Sequence, residues 1–87
     1  MSLRKLRIQD VIAMFAEEYR KIGLNVLYHR RKKGLTQLQL AHKSGVSRSR
    51  ISDIENGKEL FRLESLLMIA KALEVDYREL LLSFDEK

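Results

Sequence analysis

The stretch from Thr36 to Gly57 leaves this chain few ways to fold. Thr36 is a strong N-cap for a helix starting at Gln37, and Ser47 for one starting at Arg48, because a hydroxyl can accept from the unpaired N–H groups of a first turn. Between them Gly45 can take the left-handed conformation that ends a helix without a Cβ penalty. Leu40 and Ala41 fall on the inner face of the first helix, and Ile51 and Ile54, three apart, on that of the second. Ala41 is small where the two helices must approach, and Val46 fills the corner. The second helix spans about two turns, too short to hold in water alone, so its inner face must be clamped and its outer face left open.

Two short helices across a tight turn are a helix-turn-helix unit. Its outer face carries Arg48, Ser49, Ser52 and Asp53, with Arg50 and Glu55 to the sides. Short polar groups and one guanidinium on a rigid helix suit the width and donor/acceptor pattern of a DNA major groove.

Upstream, Ile8, Ile12, Phe15, Tyr19, Ile22 and Val26 recur at alternating steps of four and three, a 3.5-residue seam on one helix face. One helix over residues 8–33 would be about 39 Å long, more than so small a domain can cover. Two arrangements therefore stand: a break near Gly23, or a projecting early part that packs on a second subunit. A third use of residues 8–19, capping the same domain's core, competes with both. The run His29-Arg30-Arg31-Lys32-Lys33 closes this helix before Gly34, where cations complement the helix dipole; a phosphate-contacting role for Arg31, Lys32 or Lys33 competes with that structural one.

Downstream of Gly57, Leu60 and Phe61 are unusually apolar loop residues. Leu63, Leu66, Leu67, Ala70 and Leu73 then recur at helical spacing, with Ile69 on the same face and Met68 outside. Asp76 can cap a last helix to which Tyr77, Leu80, Leu81 and Phe84 bring apolar groups, and residues 85–87 form a frayed tail. The expected fold is all-α, a compact five-helix domain over residues 20–84 with an N-terminal helical extension over 1–19. Four glycines and no proline argue against an all-β chain.

The 87 residues hold one small domain. No apolar run reaches the roughly 20 residues that span a membrane, and no signal segment opens the chain. The absence of cysteine excludes disulfides and thiolate metal sites and fits a reducing, cytoplasmic setting. The net charge of +5 is uneven: residues 1–34 carry nine basic and three acidic groups, residues 59–87 four and seven. A basic front half with an acidic tail suits a polyanion binder with a separate assembly face.

From about Ile22 to Leu81 the chain resembles the lambda-repressor-like (Cro/XRE-type) DNA-binding domains. The matching residues are Ile22-Gly23, Gly34-Leu35-Thr36-Gln37, Leu40-Ala41, Gly45-Val46-Ser47, Ile51-Ser52, Ile54-Glu55-Asn56-Gly57 and Leu66 through Leu73. The resemblance implies a five-helix fold and sequence-specific transcriptional regulation, mostly as dimers in bacteria and phages. It implies base reading by Arg48, Ser49, Ser52 and Asp53, on a recognition helix of about 48–55. Gln37, Arg50, Asn56 and Lys58 fall at phosphate-contacting positions, and Arg30 with Glu55 at a structural ion pair joining the first helix to the end of the recognition helix. Four departures stand out. His29 replaces an apolar residue, with no second metal-binding group spaced to join it. Phe61-Arg62 replaces the usual Pro-Ser, removing a hydroxyl cap. Glu74 replaces a frequent Gly at a left-handed position. Leu27, Phe61 and Met68 are apolar where relatives are often polar.

Ile8, Ile12, Phe15, Phe61, Tyr77 and Leu81 are accordingly expected to form a dimer or extra packing surface. The function expected is that of a regulator binding a palindromic operator as a homodimer, without cofactor or metal. An enzyme is disfavoured, since there is no Gly-rich phosphate loop, no nucleophile with a base, and little volume for a cavity. The alternatives are a protein-interaction module of the same fold, or an antitoxin-type regulator held by a protein partner. A restriction–modification controller or a small phage-type repressor fits the size equally well.

Overall fold

A computed structural model describes residues 5–58 and 61–83. Five α-helices appear among them: α1 (Ile8–Met14), α2 (Ala16–Lys32), α3 (Gln37–Ser44), α4 (Arg48–Glu55) and α5 (Leu63–Leu73). A 3₁₀ helix comes last, over Tyr77–Leu81, and no described residue is in a strand. Leu60, Phe84 and the 85–87 tail lie outside the described residues.

The seam over residues 8–26 does break, but at Phe15 rather than near Gly23. Phe15 sits at φ −114°, ψ 21°, outside the helical well, while its N–H still donates to the Val11 carbonyl (3.1 Å) and its carbonyl accepts from Tyr19 (3.0 Å). The joint is thus a one-residue break, and among the described residues no backbone hydrogen bond runs from α2 to α1 across it. Gly23 lies inside α2 and serves a different purpose. A Cβ there would stand 2.2 Å from the Ile54 carbonyl oxygen and 2.9 Å from that of Glu55. Its missing side chain lets α2 touch the backbone of α4.

Val26, Leu40, Ile51, Ile54, Ile69, Leu73 and Leu80 are sealed from solvent, and Ala41, Val46, Leu66, Ala70 and Ala72 complete the core. Ile22, Leu35, Phe61 and Val75 pack on its margin. Two residues expected on the core face of α5 are not there: Leu63 and Leu67 are 63 % and 41 % exposed. The packed stripe is Leu66, Ile69, Ala70 and Leu73, the same helical step begun at Leu66 instead of Leu63. Leu63 lies a turn before it and Leu67 at its edge.

Both ends of α5 carry the departures visible in the sequence. Arg62 precedes the helix without a side-chain cap, and Glu74 ends it at φ 60°, a left-handed position that costs a non-glycine residue about 1 kcal/mol. Asp76 caps the last segment by accepting from the Arg78 N–H (2.9 Å), but that segment is 3₁₀, not α. Hydrogen bonds from Arg78 hold the Asp76 carboxyl down at about 2. The 3₁₀ helix is tied back by a residue that no sequence pattern singles out. Asn25, fully buried in α2, donates through Nδ2 to the carbonyls of Leu80 (2.9 Å) and Leu82 (2.6 Å).

Candidate nucleic-acid interface

The turn between α3 and α4 is fixed by short-range chemistry. Thr36 Oγ1 accepts from the Gln39 N–H (3.0 Å) and Gln39 Oε1 accepts from the Thr36 N–H (2.8 Å), a reciprocal capping box. Gly45 ends α3 at φ 79°. The buried Ser44 hydroxyl accepts from the Val46 N–H (3.1 Å), bracing the corner from inside. Ser47 Oγ then accepts from the Arg50 N–H (3.2 Å) to open α4.

Behind α4 lies a second set of restraints. Ile51 and Ile54 are buried, and Glu55 is drawn into a buried network with α2. Arg30 Nε and Nη2 donate to the two Glu55 carboxylate oxygens at 2.6 and 2.9 Å, while Nη1 donates to the Leu35 carbonyl at 2.9 Å. The two side chains are only 11 % and 5 % exposed. This bidentate hydrogen bonding raises the Arg30 pKa above its ordinary value, so the guanidinium keeps its charge. Gln37 Nε2 donates to the same carboxylate (2.9 Å), a role without any signal in the sequence. Its amide is thereby turned toward the protein, which leaves the backbone N–H groups of the first turn of α3 as what this position offers an anion.

The opposite face of α4 is open. Arg48, Ser49 and Arg50 are exposed, and Ser52 and Asp53 half-buried. Among the described residues, the side chains of Arg48, Ser49, Arg50, Asp53 and Lys58 make no hydrogen bond or ion pair, so their donors and acceptors face solvent uncommitted. Asn56 is partly engaged: Nδ2 donates to the Ser52 carbonyl (2.8 Å) at the helix end. Gly57 turns the chain at φ 67°, where a Cβ would lie 3.1 Å from Arg20 Cγ, so the N-terminal part of α2 closes on the loop that presents Lys58.

The basic end of α2 is spent differently. Lys33 pairs with Glu74 (3.5 Å), and the Lys32 ammonium stands 5.8 Å from the centre of the Tyr28 ring. His29 is buried beside that ring, its edge toward Tyr28 at a centroid distance of 5.0 Å. No group of three or more His, Asp or Glu among the described residues is placed to hold a metal, and no described helix is long and apolar enough to cross a membrane.

The six residues expected to form an apolar surface divide. Ile8 (68 % exposed), Ile12 and Phe15 belong to α1 and its joint, and Tyr77 and Leu81 to the 3₁₀ helix. Phe61 is half-buried, edge-on to Tyr19 with ring centroids 5.9 Å apart.

Comparison with known proteins gives consistent results. The Helix-turn-helix model HTH_3 matches residues 27–80. The HTH-type transcriptional regulator y4dJ of Sinorhizobium fredii is 37 % identical over 65 residues, covering 75 % of this chain and 84 % of that protein. Among solved structures, the restriction-modification controller protein C.AhdI of Aeromonas hydrophila superposes with a TM-score of 0.71 at 36 % identity, over 74 % of this chain and 97 % of that one. The controller protein C.Esp1396I, solved as a tetramer with its natural 35 base-pair operator, superposes at 0.66 and 36 % identity, over 72 % and 87 %.

Proposed function

The chain belongs to the HTH_3 helix-turn-helix family, whose members are DNA-binding transcription regulators and not a class of enzymes, and from that premise we propose that α4 enters the major groove of a palindromic operator, one chain per half-site. The observation that carries this reading is the asymmetry of α4. Its inner face and terminal carboxylate are locked to α2 and the core, while Arg48, Ser49 and Asp53 point outward uncommitted. A rigid helix with free polar groups makes base contacts without first breaking internal ones.

In this reading Arg48 donates to O6 and N7 of a guanine, Asp53 accepts from a cytosine N4, and Ser49 and Ser52 hydrogen-bond to either edge. Arg50, Lys58 and the remaining N–H of Asn56 hold phosphates, and Gln37 does so through the first turn of α3. So short a helix gives one subunit few base contacts, so a dimer with recognition helices about 34 Å apart supplies the rest. The C.Esp1396I tetramer on its operator supports binding by more than one copy. The setting is the cytoplasm, where an operator is accessible.

Selection of bound duplexes from a random pool tests DNA binding, symmetry and spacing together, and a palindrome is the expected product. On the selected site Arg48→Ala costs about 1–3 kcal/mol at one or two base positions, whereas Lys58→Ala weakens all sequences alike and lowers the salt slope by about 0.9. Equal effects of both changes on specific and random DNA would refute the base-reading assignment. Binding that is absent or insensitive to salt would favour the protein-interaction reading.

A further inference from the structure

One side of α2 holds the core, and the side turned away from it is apolar as well. Asn25, Val26, His29 and Arg30 are buried, while Leu24 and Tyr28 are 45 % and 39 % exposed and Leu27 is half-buried. Leu24, Leu27, Tyr28 and Arg31 stand at i, i+3, i+4 and i+7, so they form one stripe of about two turns. Together with Lys32 they line a shallow depression on this outer face. The Tyr28 ring is held in place, edge-on to His29 at 5.0 Å and 5.8 Å from the Lys32 ammonium. A lone exposed apolar side chain is ordinary, but three that adjoin on an ordered helix mark an interaction surface.

The charges around the stripe decide among its possible occupants. From Tyr19 to Lys33 the chain carries six Lys or Arg and no Asp or Glu. Three of these cations are paired within the chain: Arg20 with Glu17, Arg30 with Glu55 and Lys33 with Glu74. Lys21, one turn before Leu24, and Arg31 make no ion pair among the described residues. Lys32 borders a neighbouring cleft that Glu79 also lines. The stripe is therefore cationic at both ends. A second copy would lay cation on cation in either orientation, so self-pairing is disfavoured. A phosphate backbone would satisfy the cations and leave the leucines and the tyrosine facing polar oxygens. A helix with apolar residues at the same spacing and carboxylates toward its ends suits both: its ridge packs among Leu24, Leu27 and Tyr28, and its acids meet Lys21 at one end and Arg31 and Lys32 at the other.

We propose that this outward stripe of α2 is a docking site for a short acidic amphipathic helix of a different protein. The assignment does not depend on the operator reading, and its test needs no operator. A contact of two turns buries less than a standard interface, so the complex is weak and sensitive to salt.

An amide-detected NMR titration of the full chain tests this, with two synthetic helical peptides of about 14 residues. Both carry leucines at i, i+3, i+4 and i+7, and they differ only in having Glu or Lys at the flanking charged positions. The Glu peptide should shift the amides of residues 21–32 and saturate, and the Lys peptide should bind at least roughly tenfold more weakly. Leu24→Ser should weaken the Glu peptide by roughly tenfold, through lost apolar contact. Arg31→Glu combined with Lys32→Glu should reverse the preference between the peptides. All three positions are exposed, so the melting of the chain should hold. Lys43→Glu, an exposed cation on α3, should leave binding unchanged. No shift at millimolar peptide, equal binding of the two peptides, or an effect of Lys43→Glu as large as that of the α2 reversals would overturn the site. The partner class has its own tests, each of which would overturn the proposal. If the same amides respond to protein concentration alone, the occupant is a second copy. If they respond to random duplex DNA, the stripe is a phosphate contact, and if to vesicles of phosphatidylserine and phosphatidylcholine, it meets a lipid surface.

Discussion

Residues 8–15 and residues 22–30 carry one continuous hydrophobic repeat, yet they end in opposite environments. In the second stretch Val26, Asn25, His29 and Arg30 are all buried, and in the first nothing is. The neighbour within reach separates them, not the periodicity. At Gly23 the backbone of α4 comes against α2 because no Cβ intervenes, and that approach carries Arg30 to Glu55 and, further along, Asn25 to the 3₁₀ helix. Before the kink no described residue of the seam is sealed, and Val11 and Ile12 are half-buried at most. A helical repeat therefore specifies a face, and burial is decided by which backbone can come close to it.

The covered end breaks most severely at Gly23. A methyl group there meets two backbone carbonyl oxygens that cannot rotate away, so α2 and α4 must separate along their contact. Gly23→Ala is expected to cost about 4 kcal/mol or more, a large part of the stability of so small a domain. Calorimetry or urea titration reads the loss, and operator binding should fall with it. Glu55→Ala attacks the same contact electrostatically. It leaves the Arg30 guanidinium buried without its carboxylate and strips Gln37 of its acceptor, for about 3 kcal/mol. Glu55→Gln, which keeps the shape and one acceptor, should lose less. Asn25→Ala comes next. Removing the Nδ2 donor leaves the Leu80 and Leu82 carbonyls short of a partner and costs about 1–3 kcal/mol, and hydrogen exchange should show the loss concentrated at residues 77–82.

Legibility in the sequence divides along the same line. Thr36, Ser47 and Gly45 declare their caps and turn because each acts within a few residues of itself. Asp76 as a cap and Glu74 as a left-handed residue are equally readable. Contacts set by distant elements are not. Gly23 reads as a breaker because glycine weakens an isolated helix, and only the position of α4 shows it to be a point of contact. Phe15, where the helix kinks, carries no glycine or proline to announce it. Leu63 and Leu67 satisfy the helical repeat, but where α5 starts relative to the core leaves them outside. At the candidate interface the outward residues of α4 can be inferred from helix phase alone, whereas the attachment of Gln37 to Glu55 depends on the placement of α3 against α4. Asn25 gives no such signal, because the carbonyls it meets, of Leu80 and Leu82, lie 55 and 57 residues away.

The smallest effect is the most discriminating for the comparison. Because no residue of α1 is sealed, deleting residues 1–14 should remove little buried area from the monomer. The truncated chain, studied at sub-micromolar concentration where association is negligible, should melt within about 2 °C of the full one, a change of a few tenths of a kcal/mol. A loss of about 10 °C or more would mean that α1 already packs on its own domain, and the contrast between the two ends of the seam would disappear.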